Sequence, residues 1–224
     1  MLLECVKGLT CALVDLVFPP RCPLCGALAE KSDEPCGDCE PRIARIPGDA
    51  FLDLPWRVWL GRARSCFAHE DPVRRALWSF KYEGNIHALR FFVDALAREL
   101  GGMAGYDVIT AVPMQGMRVI RRGVNAAALL ARSLAGESDV EFSSCLIGRV
   151  RAVRRQVGLS RMQRMENVRG VFAATGRARE IVHDRSVLIL DDVMTTGATL
   201  NECARALAAA GARSVDALTV ARAL

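Results

Sequence analysis

The sequence predicts an α/β domain, a parallel sheet with helices on both faces, preceded by a small cysteine-rich module. Three observations carry that expectation. Short apolar runs closed by turn residues (Asp107–Val112, Val187–Leu190 and Ser214–Ala221) alternate with amphipathic helical stretches, as in strands buried on both faces. Four of the nine cysteines form two Cys-x-x-Cys pairs near the start. The 224 residues suit one well-buried domain plus an appendage better than two full domains. A content of 51% hydrophobic and 25% charged residues excludes a disordered or collagen-like chain. The net charge of +5 permits a phosphate-bearing ligand or nucleic acid without demanding either.

Met1–Pro20 carries Leu2, Val6, Leu9, Leu13 and Leu16 at helical spacing, which predicts a short amphipathic helix packed on the protein body. Glu4, Lys7 and Asp15 interrupt it, so it is too short and too charged to span a bilayer. It lacks a basic leader and a clear cleavage site, so no secretory signal and no transmembrane segment are expected. The expected setting is the reducing cytoplasm, where paired cysteines are metal or redox sites rather than staples.

Cys22-Pro23-Leu24-Cys25-Gly26 is followed by Cys36-Gly37-Asp38-Cys39. Four soft thiolates suit a closed, tetrahedral structural zinc site, and the glycines after Cys25 and Cys36 suit tight turns that aim amides at sulfur. Free or redox-active dithiols are the alternative. Residues 20–50 hold five prolines and few large apolar side chains, so metal binding would supply the folding free energy of a zinc ribbon spanning roughly Pro19–Pro47. Cys5, Cys11, Cys66, Cys145 and Cys203 stand singly among apolar residues and read as small core residues.

Beyond Phe51 the pattern predicts a short hairpin around Gly61 within Arg57–Ala68. Asp71-Pro72 supplies a cap and a proline for a helix whose apolar face is Val73, Ala76, Leu77 and Phe80. Gly84-Asn85 ends it, and Ile86, Leu89, Val93, Leu96 and Leu100 form the next stripe, closed by Gly101-Gly102. Asp107–Val112 is a buried strand, Ala126–Leu134 a helix, Val187–Leu190 a strand, Leu200–Ala210 a helix and Ser214–Ala221 the last strand. Trp56, Trp59 and Trp78 are expected at the seam between the cysteine module and the main domain.

The most informative stretch is Val187–Thr199, VLILDDVMTTGAT. An apolar strand ends in Asp191 and Asp192, a Thr/Gly loop follows, and a helix begins. Ligands of open α/β sheets bind at the carboxyl ends of strands, where this loop must lie. The amides of Thr195–Thr199 and the positive end of the helix dipole make an anion site, Gly197 allows close approach, and the threonine hydroxyls can donate. The lysine of the ATP-binding loop is missing. Two carboxylates would repel a bare phosphate but can accept from a sugar diol, so a ribose 5-phosphate fits.

VLILDDVMTTGAT resembles the motif by which type I phosphoribosyltransferases bind 5-phosphoribosyl 1-pyrophosphate (PRPP). The resemblance extends over essentially the whole chain to the ComF family of competence-related proteins. It runs through Phe18–Gly26, the second cysteine pair, FKYEGN (Phe80–Asn85) and Val112–Asn125. It continues in Arg149, Gln156–Leu159, Arg164, Asn167 and Gly170–Phe172, and ends in the PRPP loop. After Asn125 the family usually has Gln where this chain has Ala126. A Thr often found a few residues before Gln156 is not evident, the nearby position being Val153.

The resemblance implies a type I phosphoribosyltransferase-like domain over residues 51–224, with the N-terminal helix and four-cysteine zinc ribbon over 1–50. It implies that Asp191 and Asp192 hold the ribose hydroxyls, and that Thr195, Thr196, Gly197, Ala198 and Thr199 hold the 5-phosphate. Pro113 and Met114 belong to a pyrophosphate loop, Arg122 and Lys81 are further contacts, and Asp191, Asp192 and Lys81 are the candidate catalytic groups. The implied reaction is Mg2+-dependent transfer of phosphoribosyl from PRPP to an unknown nitrogen acceptor. The alternative is a non-catalytic nucleotide- or single-stranded-DNA-binding accessory protein acting with the competence machinery in DNA uptake. Between Arg149 and Arg169 lie seven arginines and one acid, Glu166. A solvated surface, a lid that neutralises pyrophosphate and a track for nucleic-acid phosphates all fit that segment.

Overall fold

The computed structural model describes residues 19–31, 34–50, 52, 54, 57–101, 105–114, 125–151 and 161–223. The expected helix over Met1–Pro20 lies almost wholly outside the described residues, as do Trp56, Cys5 and Cys11. The chain divides into two compact units, one made of Met1–Ile43 and Glu70–Phe91, the other of Ala44–His69 and Phe92–Leu224.

The strands of the larger unit are β1 (Ala63–Ala68), β2 (Val108–Ala111), β3 (Glu141–Phe142), β4 (Ile147–Arg149), β5 (Phe172–Ala174), β6 (Ser186–Met194) and β7 (Ser214–Arg222). Five of them form a wholly parallel sheet in the order β1-β7-β6-β2-β3. The other two, β4 and β5, make a separate antiparallel pair. The helices are α1 (Val73–Glu83), α2 (Ile86–Gly101), α3 (Ala126–Gly136), α4 (Arg161–Val168), α5 (Ala178–Val182) and α6 (Ala198–Ala209). Among the described residues, no helix is long and apolar enough to cross a membrane.

The apolar runs are buried on both faces, as a parallel sheet requires. Val187 and Ile189 of β6 share a core with Leu200, Cys203, Ala204 and Leu207 of α6. Leu188 and Leu190, which point the other way along the strand, are equally buried. The helix α3 packs on β2 and β6, and its Leu130 and Leu134 are fully buried.

Several local expectations change. Arg57–Ala68 is not a hairpin: β1 runs parallel to β7, and Gly61 donates its amide to Val215 O at 2.9 Å. A Cβ at Gly61 would lie 2.6 Å from Asp216 Oδ1, so the glycine serves close approach rather than a turn. The open edge of β1 is partly covered, because Arg45 bridges Phe67 antiparallel and Ala68 donates to Ala44 O at 2.8 Å. Asp71 does not cap α1; Pro72 holds the cap position, and the Asp71 carboxylate accepts from Arg74 Nε at 3.1 Å. Gly84 ends α1 in the left-handed region at φ +70°, as expected. The strand β6 runs on to Met194 instead of stopping at Leu190, pairing Asp191 with Thr219 and Met194 with Arg222. Cys66 and Cys203 are buried, whereas Cys145 is exposed.

Two asparagines organise the helix starts. Asn85 Oδ1 accepts from Ala88 N at 3.1 Å at the head of α2, and its Nδ2 donates to Ser79 Oγ and to Pro23 O. Asn125 Oδ1 accepts from the amides of Ala127 and Ala128, while Nδ2 donates to Val112 O at 3.1 Å. Asn125 therefore caps α3 and ties its start to the end of β2. Asn125→Ala should cost about 1 kcal/mol for the cap alone, with the tie to Val112 adding to it. Equilibrium urea denaturation read by far-ultraviolet circular dichroism checks this; an unchanged midpoint would mean that Asn125 does not hold this junction.

Candidate functional site

In the smaller unit, the cysteine pairs are shaped by two short turns. Gly26 N donates to Cys22 O at 2.9 Å and Cys22 N to Ala27 O at 2.8 Å, folding the first pair into a knuckle inside the Arg21–Leu28 bridge. The second pair is closed by Cys39 N donating to Cys36 O, followed by the 3-10 turn Glu40–Arg42. The four Sγ atoms of Cys22, Cys25, Cys36 and Cys39 lie within 4.8 Å of one another, and Cys25 and Cys36 are 3.7 Å apart. A tetrahedron with Zn–S of about 2.3 Å places its sulfurs about 3.8 Å apart, so this donor set fits zinc.

The electrostatics within the cluster are mixed, favouring the thiolate at Cys22 and opposing it at Cys25 and Cys39. Burial opposes ionisation of Cys22, yet the amides of Cys36, Cys25 and Leu24 bring its pKa down to about 7. One of these contacts is Cys36 N–H to Cys22 Sγ at 3.3 Å. Burial and the neighbouring sulfurs push Cys39 up, and burial likewise raises Cys25. A cation would relieve this crowding of sulfur, because the ligands bind deprotonated.

The larger unit places the second site at the carboxyl edge of its sheet. Ala111 pairs with Leu190 and Val112 N donates to Leu190 O, so the ends of β2 and β6 lie side by side. Pro113 and Met114, both half-buried, thus follow β2 beside Asp191 and Asp192. Both acids are half-buried, neither sealed inside nor fully solvated, and Asp191 Oδ1 accepts from Asp192 N at 2.9 Å. Thr195 is exposed and Thr196 half-buried. Gly197 occupies the cap position of α6 at φ +78°, and Ala198 and Thr199 begin the helix. The first helical amides lack intrahelical acceptors and point along the positive end of the dipole. One is already engaged: Ala198 N donates to Thr196 Oγ1 at 3.3 Å.

Leu52 covers one side of this cup. A Cβ at Gly197 would fall 2.6 Å from Leu52 Cδ2, and Leu54 packs on Met165, Val168 and Ala198. Beneath the loop, burial pushes the Cys203 thiol well above its ordinary range, and the charge of Asp191 adds to this, so Cys203 is a neutral packing group.

The structure brings together Asp191, Asp192, Thr195, Thr196, Gly197, Ala198, Thr199, Pro113 and Met114 at one edge. Arg122 lies outside the described residues, as do 115–121, 123–124 and 152–160. Lys81 is on α1, in the compact unit that holds the cysteines. Of the arginine segment, Arg149 stands over the Phe172 ring at 5.2 Å and Arg151 donates to Arg169 O at 2.8 Å. The supporting roles of three residues escaped the sequence reading. Asn125 carries a recognisable cap signal, an asparagine directly before an alanine run. Leu52 offers no local signal. Neither does Glu202, a buried carboxylate that accepts from Gly170 N at 2.7 Å and Arg205 Nε at 3.0 Å. Trp78, expected at a seam, is 54% exposed, whereas Trp59 packs on the main core.

Comparison with known proteins matches both parts of the chain to described domain families. Residues 90–224 match the phosphoribosyl transferase domain and residues 13–50 the double zinc ribbon domain. The chain is 27% identical to competence protein F of Haemophilus influenzae, over 92% of this chain and 98% of that protein. It is 31% identical to the DNA utilization protein YhgH of Escherichia coli, over 91% of this chain and 84% of that protein. Among solved structures, an adenine phosphoribosyltransferase from Thermoanaerobacter pseudethanolicus aligns with a TM-score of 0.41 at 16% identity, covering 83% of this chain and 98% of that one. A glutamine PRPP amidotransferase from Bacillus subtilis aligns with a TM-score of 0.41 at 21% identity, covering 64% and 30%. The matched zinc ribbon and the four-cysteine cluster together support a structural zinc ion.

Metal analysis of the purified chain should find one zinc, removed by Cys22→Ser or Cys39→Ser. Zinc should also leave as the pH is lowered, because protons compete for the sulfur ligands. A full complement of zinc in either variant would exclude this cluster as the metal site.

Proposed function

The chain belongs to the ComF family of phosphoribosyltransferase-fold proteins, and from that premise we propose that it binds PRPP and transfers its phosphoribosyl group to a nitrogen acceptor. The observation that carries this reading is the pair Asp191–Asp192 immediately before the threonine and amide cup at the carboxyl edge of β6. A ligand bearing a diol and a phosphate satisfies both halves of such a site, whereas phosphate alone is opposed by the acids. The cup of Thr195, Thr196, Gly197, Ala198 and Thr199 takes the 5-phosphate, and Asp191 and Asp192 accept from the ribose hydroxyls. Pro113 and Met114 place the chain beside the leaving pyrophosphate, with Arg122 and Lys81 as the cations proposed to meet it.

Breaking the bond between ribose C1 and pyrophosphate develops positive charge on the sugar ring and negative charge on the leaving group. The two carboxylates orient the ring and favour its positive charge. Half-exposed carboxylate oxygens are a hard donor set that suits Mg2+, which would supply charge neutralisation at the diphosphate. In this reading the zinc ribbon occupies residues 1–50, the transferase domain residues 51–224, and the setting is the cytoplasm. Replacing both acids, Asp191→Asn with Asp192→Asn, should weaken apparent affinity at least about tenfold and so abolish the melting shift produced by PRPP with Mg2+. An unchanged affinity removes the ribose assignment. Pyrophosphate release with a panel of nitrogen bases tests turnover, and no release with any base leaves binding without transfer.

A second reading, an accessory protein in DNA uptake that binds nucleotides or single-stranded DNA without chemistry, is favoured by the names of the two relatives. The seven arginines between Arg149 and Arg169 are its phosphate contacts. Affinity for a single-stranded oligonucleotide should then fall steeply between about 50 and 200 mM salt. Binding without a salt slope, or no binding, rejects that role.

A further inference from the structure

Asn85 stands between α1 and α2 and uses both ends of its side-chain amide. Oδ1 accepts from Ala88 N at 3.1 Å, a capping bond at the head of α2. Nδ2 donates to Ser79 Oγ at 3.1 Å and to Pro23 O at 3.3 Å. Ser79 is itself tied down at the end of α1. Its hydroxyl donates to Ala76 O, and its carbonyl accepts from the amides of Gly84 and Asn85. One side chain therefore joins the end of α1, the start of α2 and the turn between Cys22 and Cys25. All three belong to the same compact unit. A helix cap needs only the oxygen, so capping does not account for the other half of the amide.

The oxygen that Asn85 holds belongs to a particular peptide group. Pro23 O and Leu24 N–H are the two ends of one planar trans peptide and point in opposite directions, so fixing the carbonyl fixes the aim of the N–H. The Leu24 amide is one of three that stabilise the Cys22 thiolate, with those of Cys36 and Cys25. A hydrogen bond accepted at the carbonyl also polarises the peptide, which makes its N–H a better donor. Pro23 and Leu24 are both buried, so water does not readily replace Asn85 as the donor. Outer partners of this kind orient metal ligands, and their loss typically costs about 10- to 100-fold in metal affinity.

We infer that Asn85 is a positioning residue of the four-cysteine metal centre: by holding Pro23 O it orients the peptide that supports Cys22 and links metal occupancy to the junction of α1 and α2. Such a link is reciprocal. Whatever the junction adds to zinc affinity, zinc returns as order at the junction. Lys81 lies in the last turn of α1, so the helix end that carries it is ordered in part by the metal. The inference rests on the zinc site alone and not on PRPP.

The test uses the full chain and measures zinc affinity by competition with a chromophoric chelator. Asn85→Ser keeps a good capping oxygen but is too short to reach Pro23 O, and Asn85→Asp keeps the oxygen while losing the donor. Both should weaken zinc binding by about 10- to 100-fold, with circular dichroism at saturating zinc matching the parent. Asn125→Ser, the same exchange at the head of α3 in the larger unit, should leave zinc affinity unchanged. In the parent, zinc should slow hydrogen exchange of the amides across residues 79–89, and Asn85→Ser should lose most of that slowing. Parental zinc affinity in Asn85→Ser overturns the inference. A loss confined to Asn85→Asp also overturns it, since added charge near the sulfurs then explains the loss. An equal loss in Asn125→Ser overturns it as general destabilisation, and junction amides indifferent to zinc overturn the link. A parent that binds no zinc overturns the metal centre itself and this inference with it.

Discussion

The pairing of β6 between β2 and β7 is the constraint on which the site depends. Its backbone is satisfied on both sides, through Val108–Ala111 on one edge and Ser214–Arg222 on the other. As far as Leu190 its side chains are buried above and below. A slip by one residue would exchange Val187 and Ile189 with Leu188 and Leu190 between the two cores, so the packing on both faces ties the register. With β6 fixed, the segment between Leu190 and Ala198 must emerge at the carboxyl edge. The acids and the amides of the next helix then meet there without any contact between them being needed.

The continuation of β6 to Met194 gives this arrangement its particular form. Asp191 is still in ladder with Thr219 and Val193 with Ala221, so the carboxylates project from a regular strand rather than from a turn. Alternation then sends the side chains of Asp191 and Asp192 in opposite directions. Both acids are nevertheless half-buried where the strand meets the loop.

What was legible in the sequence follows from how local its cause is. The strand–acid–loop–helix run could be read because apolar run, Gly197 and helix start are contiguous, and the cysteine pairs because metal spacing is itself local. The supposed hairpin around Gly61 failed for the opposite reason. Its glycine answers to Asp216, far along the chain, and the stretch before it is held by Asn201, which accepts from Trp59 N at 2.6 Å and donates to Arg57 O. Asp71 had the residue type of a cap but found Arg74 instead, a competition that composition cannot rank. Trp78 was expected at a seam because tryptophan is usually packed, yet its position on α1 falls outside the buried stripe.

The loop proposed to hold the phosphate is correspondingly less self-contained than its motif suggests. Glycine is favoured at Gly197 on two grounds, a left-handed φ of +78° and the tip of the Leu52 side chain, which lies 2.6 Å from where a Cβ would be and would have to shift. The first ground is written in the loop, the second in a segment far earlier in the chain. Leu54 leans on Ala198 together with Met165 and Val168, so the helix start is packed by two further parts of the chain. An amide cup binds an anion well only if its donors are already aimed, since each donor reoriented on binding subtracts from affinity. The apolar packing of Leu52 and Leu54 against this loop would help to hold such an aim without competing for an anion, because neither side chain has a polar atom to offer.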